Sequence, residues 1–187
     1  VTTQELPTLL TSRLRLRTVA EDDVAHVRDL YSRPEVTEFI GTADWVETTR
    51  EQALSRIARY RAAAGTATGI WLIETLEEHQ PAGFALLKPI PWSRHLTAPD
   101  DGTAPEPPQD LEIGWHLHPD TWGQGYATES ARALLAHARR HRLDHLVAVT
   151  HRENLASQRV ATRIGMTHRG TTDRYYDTTC ELFTIEL

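Results

Sequence analysis

The sequence predicts an α/β (α+β) fold: one domain of 187 residues built on a mixed central sheet of about seven strands with helices on both faces. Three observations predict it. Short alternating or continuous apolar segments are interspersed with segments of helical periodicity. After residue 110 the order strand, helix, strand, helix is that of a parallel unit with a right-handed crossover. Within that unit, an alternating strand at 111–117 runs through Pro119 into a loop with two glycines that opens directly into a helix.

Residues 13–18 alternate Leu14 and Leu16 with arginines, the pattern of a half-buried strand. From 20 to 32 the residues Val24, Val27, Leu30 and Tyr31 recur at helical spacing behind the acidic turn Glu21, Asp22, Asp23, and Pro34 ends that helix. Residues 36–46 have no clear period. A second helix spans 48–64 and is closed by Gly65. Residues 69–75 and 82–90 form an antiparallel hairpin across a polar turn. The segment 91–110 carries five prolines with Asp100, Asp101 and Gly102, and reads as a mobile insertion, either a solvated loop or a lid. Beyond it come the strand 111–117, a helix from 126 to 141, a short buried strand at 146–150, a helix from 154 to 164 closed by Gly165, and two strands near 167–170 and 180–187. The core of the domain is about 12–187.

Composition narrows the function. The formal charge of −6 is uneven, with 11 basic against 18 acidic residues up to position 119 and 9 against 8 beyond it. That disfavours nucleic acid, which requires a basic surface, and suits an anionic ligand in the C-terminal half. Cys180 is the only cysteine, so neither an intrachain disulfide nor a multi-thiolate zinc site can form. No apolar run reaches the roughly 20 residues of a membrane span, and no basic segment followed by an apolar core begins the chain. The expectation is a cytoplasmic protein with no membrane partner; a homodimer is compatible with the sequence.

The glycine loop is an anion site in waiting. The first amides of a helix point outward with partial positive charge, and glycines allow close approach of the ligand. A Walker loop needs a lysine after its last glycine, whereas the only lysine is Lys88. A dinucleotide fingerprint needs a third glycine where Thr128 stands, and it belongs to the first strand of its sheet. His116 and His118 alternate as metal ligands can, but no acidic or thiol partner completes a set, so no metal is assigned.

Trp122-Gly123-Gln124-Gly125-Tyr126-Ala127-Thr128-Glu129, followed by Asn154-Leu155-Ala156-Ser157-Gln158-Arg159-Val160 and Ile164-Gly165-Met166, resembles the GNAT N-acetyltransferase superfamily, most closely its ribosomal-protein N-terminal acetyltransferase branch. The resemblance covers Leu14 to Leu187. It implies a GNAT-like fold and an acetyl-CoA-dependent transferase in which Gly123, Gln124, Gly125, Tyr126, Ala127 and Thr128 hold the pyrophosphate. It further implies that the pantetheine arm pairs with backbone groups around His116 and Leu117, with Asn154 and Ser157 beside it. The superfamily commonly has Arg or Lys where Trp122 stands; tryptophan there is similar to the ribosomal-protein branch. The implied acceptor is an amine, either a protein N-terminus or a small molecule.

Attack of an amine on a thioester requires a neutral amine and a protonated leaving thiolate. Glu112 is the candidate base, acting directly or through water; the competing reading is an ordinary strand carboxylate. Alternation puts Glu112, Gly114, His116 and His118 on one face and Leu111, Ile113, Trp115 and Leu117 on the other. Many superfamily members resemble one another in a tyrosine four residues before the glycine ending the last helix, where this chain has Ala161. The resemblance to the ribosomal-protein branch implies instead that Ser157, one turn earlier, donates a hydrogen bond to the leaving sulfur, weighed against a first-turn hydroxyl that only fixes the backbone. Tyr175 and Tyr176 are alternatives, for which strand packing is the preferred role. Arg163 is read as an exposed helical arginine, and Trp45, Trp71 and Trp92 as lining either an acceptor pocket or the core. The missing tyrosine leaves a second reading open, a non-catalytic acyl-CoA-binding sensor or interaction module.

Overall fold

The computed structural model describes residues 5–40, 46, 49–96 and 109–187. Among them, eight strands form one sheet in the order β1-β2-β3-β4-β5-β6-β8-β7. They are β1 (Leu9–Leu10), β2 (Leu14–Thr18), β3 (Gly69–Thr75), β4 (Pro81–Pro89), β5 (Leu111–Leu117), β6 (His145–Thr150), β7 (Thr167–Thr172) and β8 (Cys180–Glu186). Every neighbouring pair is antiparallel except β5 and β6. Among the described residues five α-helices accompany them: α1 (Val24–Ser32), α2 (Pro34–Thr37), α3 (Arg50–Ala62), α4 (Tyr126–Arg140) and α5 (Leu155–Arg163).

The continuous apolar run of β3 has its cause in this layering. Trp71 and Ile73 pack with Leu134 and Ala138 of α4 on one face, and Ile70 and Leu72 pack with Leu30 of α1 and Ile57 of α3 on the other. Trp71 is thus a core residue, its indole N–H donating to the Pro7 carbonyl at 2.9 Å. Helix α3 starts where Thr49 Oγ1 accepts the Gln52 amide and the Gln52 side chain accepts the Thr49 amide, a reciprocal cap.

The structure departs from the sequence reading in four places. The sheet has eight strands because β1, only two residues long, adds to the edge of β2. Residues 21–23 form a 3₁₀ turn ahead of α1. The aperiodic stretch after Pro34 begins with the one-turn helix α2, too short to show a period. Residues 91–96, read as part of a loose insertion, are docked: the Ser93 amide donates to the Arg174 carbonyl at 2.6 Å, and Trp92 bridges to Tyr175. The rest of that insertion, residues 97–108, and Trp45 lie outside the described residues.

An ion cluster braces the β2–β3 pair. The buried Glu74 carboxylate takes the Arg15 guanidinium on one oxygen and Arg17 Nε on the other at 2.6 Å, and Arg17 also pairs with Asp23 at 2.8 Å. Burial opposes ionisation of Glu74, but the hydrogen bonds from Arg17 and Arg15 outweigh it and hold the carboxyl below its ordinary range. A lowered folded value means that this contribution is complete above the unfolded carboxyl pKa of about 4 and is lost as pH falls through the folded one. Glu74→Gln is expected to cost about 2 kcal/mol at neutral pH and to flatten the acid limb of stability. Urea midpoints between neutral and acidic pH check both.

Candidate active site

Strands β5 and β6 share one bridged pair among the described residues, Glu112 with Val147. Beyond it they part, and a cleft of about 430 Å³ opens between Trp115 and Leu117 on one side and Ala148 to Thr150 on the other. The His118 amide donates to the Ala82 carbonyl at 2.9 Å, which fixes the register of the antiparallel β4–β5 ladder. Even-numbered β5 residues therefore turn their backbone groups to β4, and Trp115 and Leu117 turn theirs into the gap. This corrects the expectation for His116: its backbone faces β4 and only its side chain reaches the cleft. The Leu117 carbonyl already accepts the Trp122 indole N–H at 2.9 Å.

At the end of β5 the chain makes a 3₁₀ turn, Pro119–Thr121, and enters the glycine loop. Gly123 and Gly125 adopt φ of 76° and 80°, and Gly125 is the N-cap of α4. A Cβ at Gly123 would meet nothing within 4 Å, so left-handed backbone, not crowding, demands glycine there. Gly123, Gly125, Tyr126, Ala127 and Thr128 line the cleft. Gln124 is exposed on the loop and is not among the lining residues. The first turn of α4 also holds Glu129, whose carboxylate accepts from the Thr11 hydroxyl at 2.6 Å, the Arg13 amide at 3.0 Å and Arg13 Nε at 2.8 Å. Burial opposes its charge, yet these donors hold its pKa below the ordinary range. Arg13 in turn lies over the Tyr126 ring, 4.9 Å from its centroid.

From the opposite wall, Asn154 Oδ1 caps α5 by accepting the Ser157 amide at 3.0 Å. Ser157 lines the cleft one turn in, with Arg159 and Arg163 further along. Ala161, at the position of the superfamily's tyrosine, is fully buried against the core.

Glu112 closes the narrow end of the cleft. One carboxylate oxygen, Oε2, accepts Lys88 Nζ at 2.9 Å and the Tyr176 hydroxyl, which itself accepts from Lys88 at 2.6 Å. The Tyr176 hydroxyl is pushed above its ordinary range by burial and by the adjacent Glu112 charge. Tyr175 serves packing: it is buried with Ile90 and Val147 and donates to Asp110 at 2.6 Å.

The even-numbered face of β5 meets α1 and α3. His116 Nδ1 lies 3.1 Å from the Tyr31 hydroxyl, which lies 2.7 Å from the Tyr60 hydroxyl, which accepts Arg56 NH1 at 3.1 Å. Burial pushes the His116 pKa down to about 3, with the positive charges of Arg56 and Lys88 adding to the effect. His118 is occupied structurally, its Nε2 3.0 Å from Asp29 of α1 and its Nδ1 accepting the Asp120 amide. Among the described residues, no group of three His, Cys, Asp or Glu could hold a metal ion, and no helix is long and apolar enough to cross a membrane. Glu35, Val36, Phe39 and Ile40, on and just after α2, complete the cleft on the α1 side. Residues 36–46 are a stretch in which the acceptor's identity is expected to be written, but having no period they could not be assigned individually; the folded register brings Val36, Phe39 and Ile40 opposite β5.

Residues 13–167 match the acetyltransferase (GNAT) domain family. The chain belongs to the GNAT acetyltransferases. The FsC-acetyl coenzyme A-N(2)-transacetylase of Aspergillus fumigatus is 27% identical over 180 residues, which span 95% of this chain and 72% of that protein. An acetyltransferase from Agrobacterium tumefaciens superposes with a TM-score of 0.74 at 26% identity, over 97% of this chain and 95% of that one. RimL, a ribosomal L7/L12 alpha-N-protein acetyltransferase solved with coenzyme A, shares the fold with a TM-score of 0.73 at 19% identity, over 98% of each chain. The family resemblance carried by residues 122–129 and 154–166 is borne out, and Rim-type enzymes stand among the structural neighbours. This GNAT protein is an acetyl-CoA-dependent acyltransferase.

Proposed function

We propose that the enzyme transfers an acetyl group from acetyl-CoA to a primary amine, a protein N-terminus or a small molecule, by direct attack on the thioester. The observation that carries this is the parting of β5 from β6 directly beside a glycine-opened helix N-terminus. It provides an anion site and an extended slot in line. In this reading the amides of residues 123–128 take the pyrophosphate, and Trp115 and Leu117 offer backbone partners to the pantetheine arm. Glu112 Oε2 is committed to Lys88 and Tyr176, which in this reading leaves Oε1 to take the amine proton directly or through water. The amine nitrogen bonds to the carbonyl carbon, the C–S bond breaks, and the Ser157 hydroxyl donates a hydrogen bond to the departing thiolate, which takes up a proton equivalent to the one the amine releases. The products are an amide and free CoA. The single, buried Cys180 and the use of acetyl-CoA fit a cytoplasmic setting.

An acceptor panel of N-terminal peptides and small amines, read by mass increase and CoA release, tests this. Acetyl-CoA binding without acetylation of any amine would favour the sensor reading, which Ala161 supports by its lack of a phenol. Ser157→Ala is expected to lower kcat about tenfold, the worth of one hydrogen bond to a charged sulfur, with little change in the KM for acetyl-CoA. Steady-state kinetics with saturating acceptor check it, and an unchanged kcat would pass the role to solvent.

A further inference from the structure

Lys88 stands directly opposite Glu112 in the β4–β5 ladder, so their ion pair follows from register alone. Tyr176 does not. It comes from the loop between β7 and β8, and to deliver it the chain sets two successive non-glycine residues, Tyr176 and Asp177, in left-handed backbone at φ of 60° and 54°. Side chains resist that conformation, and it persists only where the surroundings over-determine it. Ser93, fully buried, supplies the central tie. Its hydroxyl donates to the Asp173 carbonyl at 2.7 Å and accepts the Asp177 amide at 3.0 Å, so one side chain holds the loop on both sides of Tyr176. The next residue adds a second tie, since the Asp177 carboxylate accepts the Arg94 amide at 2.7 Å and Arg94 Nε at 2.8 Å. We infer that Tyr176 is a positioning residue for Glu112, set in place by the grip of Ser93 on its loop, and that the two together aim the carboxylate that takes the amine proton.

The hydrogen bonds at Glu112 run one way. An ammonium only donates, so the Tyr176 oxygen accepts from Lys88 at 2.6 Å, and the single phenolic proton goes to Glu112 Oε2, a carboxylate oxygen that only accepts. With the Lys88 ammonium itself at 2.9 Å, Oε2 receives two donors. A proton arriving on that oxygen would oppose both of them. On Oε1 it disturbs neither, because Oε2 goes on accepting. Two anchors on one oxygen also fix the plane of the carboxyl group, which Lys88 alone, on a flexible stem, would leave free to turn. The Tyr176 ring packs beside Ile90, Val147 and Tyr175, a role that phenylalanine would fill. The hydroxyl is what the packing does not need, and it is spoken for by Glu112 and Lys88.

The inference rests on the amine-transfer reading, and its test separates the two. One arm needs no turnover: with 3-fluorotyrosine at position 176, a single sharp fluorine resonance is expected, displaced in Glu112→Gln and broadened or split in Ser93→Ala. A line that stays put in the first variant, or stays single and sharp in the second, would overturn the inference. Should Ser93→Ala not fold, Asp177→Gly loosens the same loop by releasing Arg94 while relieving the backbone, and is expected to broaden the line likewise. In kinetics with saturating acetyl-CoA, kcat for the amine that the acceptor panel turns over fastest is expected to fall about tenfold in Tyr176→Phe, the loss of one hydrogen bond to a charged group, with the KM for acetyl-CoA unchanged. Ser93→Ala is expected to lower kcat in the same way, and the double variant to be no slower than Tyr176→Phe alone, because Ser93 acts through the phenol. An unchanged kcat in Tyr176→Phe, or losses that multiply in the double variant, would overturn the positioning role. A wild-type enzyme that acetylates no amine would overturn the amine-transfer reading itself, and the fluorine arm would still decide whether the loop holds the phenol on Glu112.

Discussion

Replacing Glu112 with Gln is expected to lower kcat/KM for the amine by about a hundredfold to a thousandfold. The substitution keeps the shape of the side chain and can still accept from Lys88, but it removes the one buried anion on the reactive face of β5. An alkyl ammonium with a pKa near 10 must lose its proton before it can attack, and an amide oxygen cannot take it. The KM for acetyl-CoA is expected to change little, because the loop proposed to take the pyrophosphate lies at the other end of the strand. Turnover at fixed acetyl-CoA across a range of pH, with circular dichroism to verify the fold, decides the matter. Unchanged turnover across pH would remove Glu112 from the chemistry and leave it as the anchor of Lys88 and Tyr176.

Gly83→Ala is expected to destabilise the fold by about 3–4 kcal/mol, although Gly83 itself takes no part in the proposed chemistry. Gly83 stands at φ 144°, and a Cβ there would sit 2.1 Å from the His116 carbonyl oxygen and 2.7 Å from the Leu117 Cα. Both obstacles are backbone, so no rotamer change can relieve them. The β4–β5 ladder must shift at the two residues that border the cleft, and the cleft shifts with it. A reduced urea midpoint in chemical denaturation, accompanied by weaker acetyl-CoA binding, is the expected result; a midpoint within 0.5 kcal/mol of wild type would show that the strand yields freely.

How much of this was legible from sequence depended on how local each signal was. The glycine loop was, because Gly123 and Gly125 supply backbone angles that other residues resist and the amphipathic α4 follows at once. The split of β5 into two faces was legible from alternation alone. Glu112 was singled out, but not its partners, since Tyr176 lies 64 positions away and Lys88 lies 24. The network behind His116 joins positions 31, 56, 60 and 116, each of which reads locally as part of an amphipathic element. Its meaning appears only when three elements converge. Strand β1 and helix α2 escaped for a simpler reason: two and four residues are too few to establish a period.

The grip of Glu129 on residues 11 to 13 has a consequence for how the enzyme can be divided. Its carboxylate, in the first turn of α4, is compensated by Arg13 across 116 positions of sequence. Left alone, that anion would sit at the mouth of the helix and repel the phosphates that the proposed function brings to the loop. The glycine motif is therefore not a portable module. A fragment from β5 onward would contain the glycines and Asn154, yet lack both the compensating charge and the strand on which β5 is laid. Under the proposed function, cofactor recognition is a property of the closed chain, completed only when its beginning has returned to its middle.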